Sequence, residues 1–453
     1  METIAAIATP VAAGGIGIVR ISGENAFEIA QKIFRSKNSK EIVEMKPYTA
    51  AYGKIIDGEK EIDEGIALVF HAPKSYTGEN VVELSCHGGI MVMRMVLKAA
   101  ILAGARLAEP GEFTKRAFLN GKLDLTKAES VMDLINAQSK MAVNAARMQH
   151  EGALFSSIML IKSHLIEISS DISAWMDFPD DEMEGLQEDN LKSSIKQIAD
   201  KMKRLIATYE TGKMIREGID TVITGSPNVG KSTLMNLLSG YEKSIVTEIP
   251  GTTRDIVEGR VVLGDLILNL SDTAGLRQTD DPIEKIGVER AKSKLENADL
   301  ILAVFDSSRE LDEEDMKLID FISNKLTVAI INKADLPKKI DDKYILNKIQ
   351  HTVYISAKTH EGIKELEKVA AEIIGTNQLD LGAGILANER QYQSVNDAEK
   401  GLEEALFALE SGMTLDAISI GIDEAIGCLS ALTGEKASDE IIQRVFEKFC
   451  VGK

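Results

Sequence analysis

One short segment constrains the fold of this chain more than any other. Residues 225–232 read GSPNVGKS, which matches the phosphate-binding pattern G-x-x-x-x-G-K-[ST]. A β-like apolar run, residues 220–224, precedes it, and a helix-like stretch, residues 232–238, follows. Glycines let such a loop wrap phosphates, and backbone N–H groups at the helix N-terminus point at them. We expect Lys231 to reach the β- and γ-phosphates and Ser232 to ligate Mg²⁺. The alternative interpretation of residues 225–232 is a glycine-rich turn before a helix that has no role in phosphate binding.

Three further motifs each follow an apolar run. Residues 272–275 read DTAG, residues 332–335 read NKAD and residues 356–358 read SAK. The carboxylate of Asp272 can contribute to the coordination shell of Mg²⁺. Asp335 can accept two hydrogen bonds from the N1–H and exocyclic amine of guanine, a donor pair that adenine lacks, so the sequence predicts GTP rather than ATP. The predicted GTP-binding residues are Asn228, Val229, Gly230, Lys231, Ser232, Thr233, Asp272, Thr273, Ala274, Gly275, Asn332, Lys333, Asp335, Ser356, Ala357 and Lys358.

Composition narrows the class of protein. A chain of 453 residues predicts two to four domains. The net charge of −19 argues against a protein that binds nucleic acid through its overall charge. Any contact with RNA would therefore require local basic patches or a partner. We expect no signal peptide, because residues 1–9 lack a basic start and a long apolar run, and no membrane span, because no apolar run approaches roughly 18 residues. Three widely spaced cysteines indicate reduced thiols and a cytoplasmic location.

The pattern along the chain predicts a multidomain protein. Residues 1–118 carry short β-like runs and predict an α+β domain, whereas residues 119–217 show helical periodicity. Residues 218–375 alternate strand and helix and predict an α/β P-loop GTPase domain. Helical periodicity returns over residues 376–453. The simplest architecture inserts the α/β domain between two halves of one helical domain; two separate helical domains are the alternative.

The C-terminal residues 450–453, CVGK, place a cysteine almost at the chain end. The apolar helical face before them predicts that the tail is docked, with Cys450 held in a fixed place. A reactive thiol and a buried structural thiol are both open at this point. The residues of that face are Ile441, Ile442, Val445, Phe446 and Phe449.

Matching segments spread over the whole chain carry a family resemblance. They are residues 8–10, 14–23, 76–80, 87–89, 110–113 and 116–120, the four nucleotide motifs and the terminal CVGK, in which Val451 replaces the usual isoleucine. With these segments the chain resembles the MnmE (TrmE) family of tRNA-modification GTPases.

This resemblance implies a function for the N-terminal domain and a partner. The domain would bind a formyl- or methylene-tetrahydrofolate and form a homodimer contact. A flavoprotein, MnmG (GidA), would join it in a heterotetramer. Together they would add an aminomethyl or carboxymethylaminomethyl group to C5 of the wobble uridine in certain tRNAs.

The family's folate residues match Arg20, Glu83, Lys122 and Lys453. A carboxylate can accept two hydrogen bonds from the N–H and amine groups at one edge of a pterin. Cationic side chains can bind the negatively charged glutamate tail of a folate. For each residue taken alone, a solvated surface charge is the alternative.

The residue after the DTAG motif is Leu276, where Ras-like proteins carry a water-orienting glutamine. The resemblance implies that a bound K⁺ and dimerisation of the GTPase domains compensate. The implied K⁺ ligands are Asn228, Thr247, Ile249 and Thr252. Three residues of this region, Thr247, Thr252 and Thr253, also belong to the predicted GTP site.

Two catalytic residues and a second Mg²⁺ ligand are also implied. Thr253 in the candidate switch loop, residues 251–255, would join Ser232 on Mg²⁺. Glu284 would position the attacking water; the alternative is an acid favoured at a helix N-terminus. Cys450 is the second catalytic candidate.

Two other functions stay open on the sequence. One is a regulatory or ribosome-assembly GTPase switch without modification chemistry, which would need neither residues 1–118 nor the Cys450 tail. The other is a folate-dependent methyltransferase that acquired a GTPase domain.

Overall fold

The computed structural model describes residues 1–38, 40–177, 188–241, 259–272, 292–375 and 379–453, without the side chains of residues 188, 241 and 272. The chain forms two compact units. One comprises residues 1–132, 149–199 and 397–453, and the other comprises residues 133–148 and 200–396.

The N-terminal part is a seven-stranded sheet with helices packed against it. The strand order is β3-β4-β5-β6-β2-β1-β7, and all pairs are antiparallel except β1 with β7. The register of β2 on β6 sets Arg20 directly opposite Glu83. The elements are β1 (Ile4–Ile7), β2 (Ile16–Ser22), α1 (Ala26–Ile33), β3 (Phe34–Ser36), β4 (Thr49–Asp57), β5 (Lys60–Phe70), β6 (Val81–His87), α2 (Ile90–Leu102), β7 (Arg106–Leu107) and α3 (Glu112–Leu119).

Five helices follow this sheet. The helical character expected for residues 119–217 is present, with a break between Asn136, where α4 ends, and Lys140, where α5 begins. The reason is local: the Ser139 hydroxyl accepts a hydrogen bond from the Ala142 N–H at 3.1 Å, which caps a new helix. The helices are α4 (Leu125–Asn136), α5 (Lys140–Glu151), α6 (Ala153–Asp177), α7 (Glu188–Ile206) and α8 (Tyr209–Glu217).

The second sheet has six strands in the order β13-β12-β11-β8-β10-β9, and only β9 runs antiparallel to its neighbour. Every residue of β11 and β12 is buried, as is typical of central parallel strands. Ligands of such sheets bind beyond the carboxyl ends of the strands. The elements are β8 (Ile219–Thr224), α9 (Lys231–Tyr241), β9 (Gly259–Leu263), β10 (Leu266–Asp272), β11 (Leu300–Asp306), α10 (Glu313–Ile322), β12 (Thr327–Asn332), α11 (Lys343–Lys348), β13 (His351–Tyr354) and α12 (Ile363–Ile373).

Three helices complete the chain: α13 (Glu389–Glu410), α14 (Leu415–Thr433) and α15 (Asp439–Phe446). The apolar face predicted before the C-terminal tail is present, because Ile442, Phe446 and Phe449 pack with Leu125 and Val131 of α4. Among the described residues, none of the single helices meets the length and hydropathy needed to cross a membrane; the bent pair α5 and α6 meets them by length and composition only.

Candidate functional site

The loop of residues 225–230 joins β8 to α9, and two glycines fix its shape. Gly225 has a φ of +144°, and Gly230 has a φ of +100°, a region that other residues rarely adopt. A Cβ on Gly225 would lie 2.2 Å from the Val304 carbonyl oxygen, and one on Gly230 would lie 2.2 Å from Asn332 Nδ2. Both positions therefore require glycine, because strand β11 and Asn332 approach the backbone too closely for a side chain.

The Lys231 ammonium folds back over this loop. Its Nζ donates hydrogen bonds to the carbonyl oxygens of Gly225 and Ser226, both at 2.9 Å. Ser232 and Thr233 follow in the first turn of α9, and both are exposed, as is Asn228. Val229 is fully buried. The loop thus presents a cation and two hydroxyl groups at the N-terminus of a helix, which suits an anionic ligand.

A second loop, residues 332–335, is bonded to the first. Asn332 has only 2% of its surface exposed, and its Nδ2 donates to the Val229 carbonyl at 2.9 Å. Lys333 Nζ donates to the Asn228 carbonyl at 2.9 Å. The side chains at the end of β12 therefore hold residues 228 and 229 in place.

A third loop, residues 356–358, is bonded to the second. The Ala357 N–H donates to Asn332 Oδ1 at 3.0 Å, and Ser356 Oγ donates to Asp335 Oδ1 at 2.7 Å. Asp335 and Lys358 are exposed, while Ser356 and Ala357 are buried. The structure thus brings the three predicted motifs together at one edge of the sheet, with an oriented carboxylate at Asp335.

Asp306, which ends β11, is a member of this site that sequence reasoning missed. Burial acts to raise the pKa of Asp306, but hydrogen bonds from Lys333 and Ser308 outweigh it, so the pKa is lowered. Asp306 therefore stays ionised and holds Lys333 over the first loop. An acid that ends a wholly apolar strand, LILAVFD, was the available signal.

Several predicted residues lie outside the described residues: Thr247, Ile249, Thr252, Thr253, Thr273, Ala274, Gly275 and Glu284. Asp272 ends β10, whose register sets it opposite Ile223 of β8.

A second cluster of predicted site residues lies on the N-terminal sheet. Arg20 Nε and Nη2 each lie 2.8 Å from Glu83 Oε1. The Arg20 guanidinium also lies 5.7 Å from the centre of the Tyr76 ring and 5.6 Å from that of Phe113. The side chains of Arg20 and Glu83 are 15% and 17% exposed, so this ion pair is accessible at its edge.

The C-terminal tail docks beside this ion pair. Arg20 Nη1 donates to the Gly452 carbonyl at 3.3 Å, and the Phe113 N–H donates to the Lys453 carbonyl at 3.2 Å. Gly452 has a φ of +101°, and a Cβ there would lie 2.3 Å from the Ile7 carbonyl oxygen. The tail is therefore held by its backbone, as the sequence predicts.

The remaining predicted residues, Lys453, Cys450 and Lys122, have different surroundings. Burial and then the charge of Arg20 lower the pKa of Lys453, while Glu83 and Cys450 act to raise it. Cys450 is exposed, which does not fit a buried structural thiol. Lys122 Nζ instead donates to the Pro73 carbonyl at 3.1 Å; in the described part of the chain no hydrogen bond or ion pair is seen between Lys122 and the other three folate candidates.

Comparison with known proteins identifies the family of this chain. A family model described as the GTP-binding protein TrmE N-terminus matches residues 3–122, and one described as the MnmE helical domain matches residues 125–450. The tRNA modification GTPase MnmE of Thermoanaerobacter sp. (strain X514) is 43% identical over 457 residues, which cover 100% of this chain and 99% of that protein.

The chain belongs to the MnmE family of tRNA modification GTPases.

A second relative of this MnmE-family chain is the tRNA modification GTPase MnmE of Acetivibrio thermocellus, 42% identical over 457 residues, covering 100% of this chain and 99% of that protein. Among solved structures, the G domain of the T. maritima FeoB iron transporter is similar with 29% identity and a TM-score of 0.27, covering 34% of this chain and 98% of that one.

The chemistry of the described residues fits the metal ions and ligands that the family resemblance implies. The Ser232 hydroxyl is an exposed hard oxygen donor of the kind that Mg²⁺ prefers. Asn228, with a φ of +64°, offers an exposed amide oxygen at the tip of the loop. Arg20, Glu83 and Lys453 form a partly exposed group of two cations and one carboxylate, which suits a ligand with a donor edge and an anionic tail.

Proposed function

We propose that this MnmE-family chain binds GTP across the loops of residues 225–230, 332–335 and 356–358 and hydrolyses it in the course of tRNA modification. The observation that carries the proposal is the position of Asn332, whose amide contacts the first loop through Val229 and the third through Ala357. One buried side chain thereby sets the spacing between a phosphate site and a base site. The carboxylate of Asp335, oriented by Ser356, supports guanine as the base.

Two cations belong to the proposed reaction. Ser232 and Thr253 would hold Mg²⁺, and Asn228, Thr247, Ile249 and Thr252 would hold K⁺. Bound there, the cations would neutralise charge that develops on the phosphates. Glu284 would orient the attacking water, a role that Leu276 cannot fill. Dimerisation of two GTPase domains belongs to the same proposal.

The N-terminal sheet would bind a tetrahydrofolate derivative. The Arg20–Glu83 pair leaves one face of the carboxyl group partly exposed, and Lys453 adds a cation beside it. These three residues support the proposal directly. A role for Lys122 in folate binding stays a prediction, because its ammonium donates a hydrogen bond to the Pro73 carbonyl. The folate would supply a one-carbon unit.

The complete reaction would require further partners. A homodimer of this chain would act with the flavoprotein MnmG (GidA) in a heterotetramer, in the cytoplasm. The product would carry an aminomethyl or carboxymethylaminomethyl group at C5 of the wobble uridine of certain tRNAs. The exposed thiol of Cys450, on a tail docked beside Arg20, supports a chemical role for that residue.

The proposed domain division is residues 1–118 for folate and dimerisation, 119–217 and 376–453 for the two halves of the helical domain, and 218–375 for the inserted GTPase domain.

Steady-state hydrolysis by the purified full chain tests the nucleotide part of the proposal. We expect turnover of GTP in the presence of Mg²⁺ and K⁺, and none of ATP at the same concentration. Lys231→Ala should abolish the turnover, because it removes the cation from the loop. Equal turnover of ATP and GTP would contradict the assigned base site.

A further inference from the structure

We propose that Asp315 is a positioning residue for the phosphate-binding loop, acting through the hydroxyl of Ser226. The inference rests on the proposed GTP site. Ser226 Oγ donates a hydrogen bond to Asp315 Oδ1 at 2.6 Å. The two residues are 89 positions apart in the chain, and both are buried, with 9% and 1% of their surface exposed.

Asp315 lies in the first turn of α10 and serves a capping box. The Asp315 N–H donates to Asp312 Oδ1 at 2.9 Å, and the Asp312 N–H donates to Asp315 Oδ2 at 3.3 Å. The cap uses one carboxylate oxygen of Asp315. The other oxygen, Oδ1, accepts the bond from Ser226, so capping alone does not account for this contact.

Arg309 supplies the positive charge that pairs with the buried carboxylate of Asp315. Its Nη2 lies 2.7 Å from Asp315 Oδ2, and its Nη1 lies 3.0 Å from Asp312 Oδ2. A buried carboxylate without a paired cation would be strongly disfavoured. Arg309 thus forms an ion pair with the Asp315 carboxylate, and a hydrogen bond to an ion-paired carboxylate is stronger than one between neutral groups.

Among the described residues, the bond anchors the start of the loop, where no side-chain hydrogen bond from Asn332 or Lys333 is seen. Asn332 and Lys333 hold residues 229 and 228. Ser226 lies at the start of the loop, and its carbonyl accepts a hydrogen bond from Lys231. The Asp315 contact therefore orients the peptide that places the Lys231 ammonium.

This geometry predicts that the contact contributes equally to the binding of every nucleotide with a β-phosphate. Loss of the Ser226 hydroxyl should raise the Kd for GDP and for GTP by the same factor, roughly tenfold for a hydrogen bond to a charged group. It should raise KM for GTP by a similar factor and leave kcat nearly unchanged, as expected when uniform binding is lost. The preference for guanine over adenine should stay, because Asp335 is not affected.

The experiment is a fluorescence titration of GDP and GTP on the full chain carrying Ser226→Ala, with thermal unfolding measured in parallel. Ser226→Thr should restore affinity, because it keeps the hydroxyl. The matched control is Ser323→Ala, which removes a serine hydroxyl from the opposite end of α10, where Oγ donates to the Asp320 carbonyl at 3.0 Å. Ser226→Ala combined with Asp315→Asn should weaken binding no more than the stronger single change.

Three results would overturn the proposal. They are a Kd for Ser226→Ala within about twofold of the wild type, equal weakening by Ser226→Ala and Ser323→Ala, and additive effects in the double variant. If Asp315→Asn does not fold, the comparison of Ser226→Ala with Ser226→Thr decides. Wild-type protein that binds no guanine nucleotide would overturn the proposed function and this role together, whereas normal wild-type binding with an unaffected Ser226→Ala overturns this role alone.

Discussion

Replacement of Asn332 by alanine should disrupt the site more than any change of an exposed site residue. The substitution deletes two hydrogen bonds, to the Val229 carbonyl and from the Ala357 N–H, and leaves both groups unpaired. Val229 is fully buried and Ala357 is 5% exposed, so water replaces these bonds poorly. A buried unpaired backbone group costs about 1–3 kcal/mol, so the total is about 2–6 kcal/mol.

Hydrogen–deuterium exchange measures this loss at the affected groups. The lower limit for the Ala357 group alone, about 1 kcal/mol, predicts that its amide exchanges roughly fivefold faster than in the wild type, and we expect the affinity for GDP to fall as well. Asn297→Ala is the matched control, because this exposed asparagine makes a local bond, with Nδ2 donating to the carbonyl of Ser293, four residues earlier, at 2.9 Å. Unchanged exchange at Ala357 together with unchanged GDP affinity would refute the reasoning.

Three further predictions concern the nucleotide, the cation and the tail. Asp335→Asn should shift preference from guanine to xanthine nucleotides, whose 2-oxo group suits an amide donor; unchanged guanine preference in a competition assay would contradict this. Hydrolysis of GTP should be much faster in K⁺ than in Na⁺, and equal rates at matched ionic strength would exclude a K⁺ role. Cys450→Ser should leave GTP hydrolysis nearly intact and abolish wobble-uridine modification, whereas Cys428→Ser, at a half-buried thiol of α14, should affect neither; normal modification in the Cys450 variant would show that this thiol has no role in the chemistry.

The strand before the first nucleotide motif was predictable to within one residue, because the apolar run at residues 220–224 corresponds to β8, Ile219–Thr224. Strands β10 and β12 are the apolar runs expected before the next two motifs, and each ends at the first residue of its motif, Asp272 or Asn332. The docked tail was predictable from the apolar spacing of Ile442, Phe446 and Phe449. These features depend on residues that are close in sequence.

The rest depends on contacts that local patterns do not encode. The bond between Ser226 and Asp315 joins a loop to a helix cap that is distant in the chain, and no periodicity points to it. The break between α4 and α5 follows from a single cap at Ser139 within a run that otherwise suits a helix. The Lys122 ammonium contacts the carbonyl of Pro73, which is 49 positions away in the chain, and no local sequence pattern points to such a contact.

The most direct test of the central claim is nucleoside analysis of tRNA from cells that lack this protein. The account predicts that wobble uridines lose the aminomethyl or carboxymethylaminomethyl group at C5, and that the wild-type gene restores it while Lys231→Ala does not. Unaltered wobble uridines in the deletion strain, with GTP hydrolysis confirmed for the purified chain, would contradict the account and favour a regulatory GTPase.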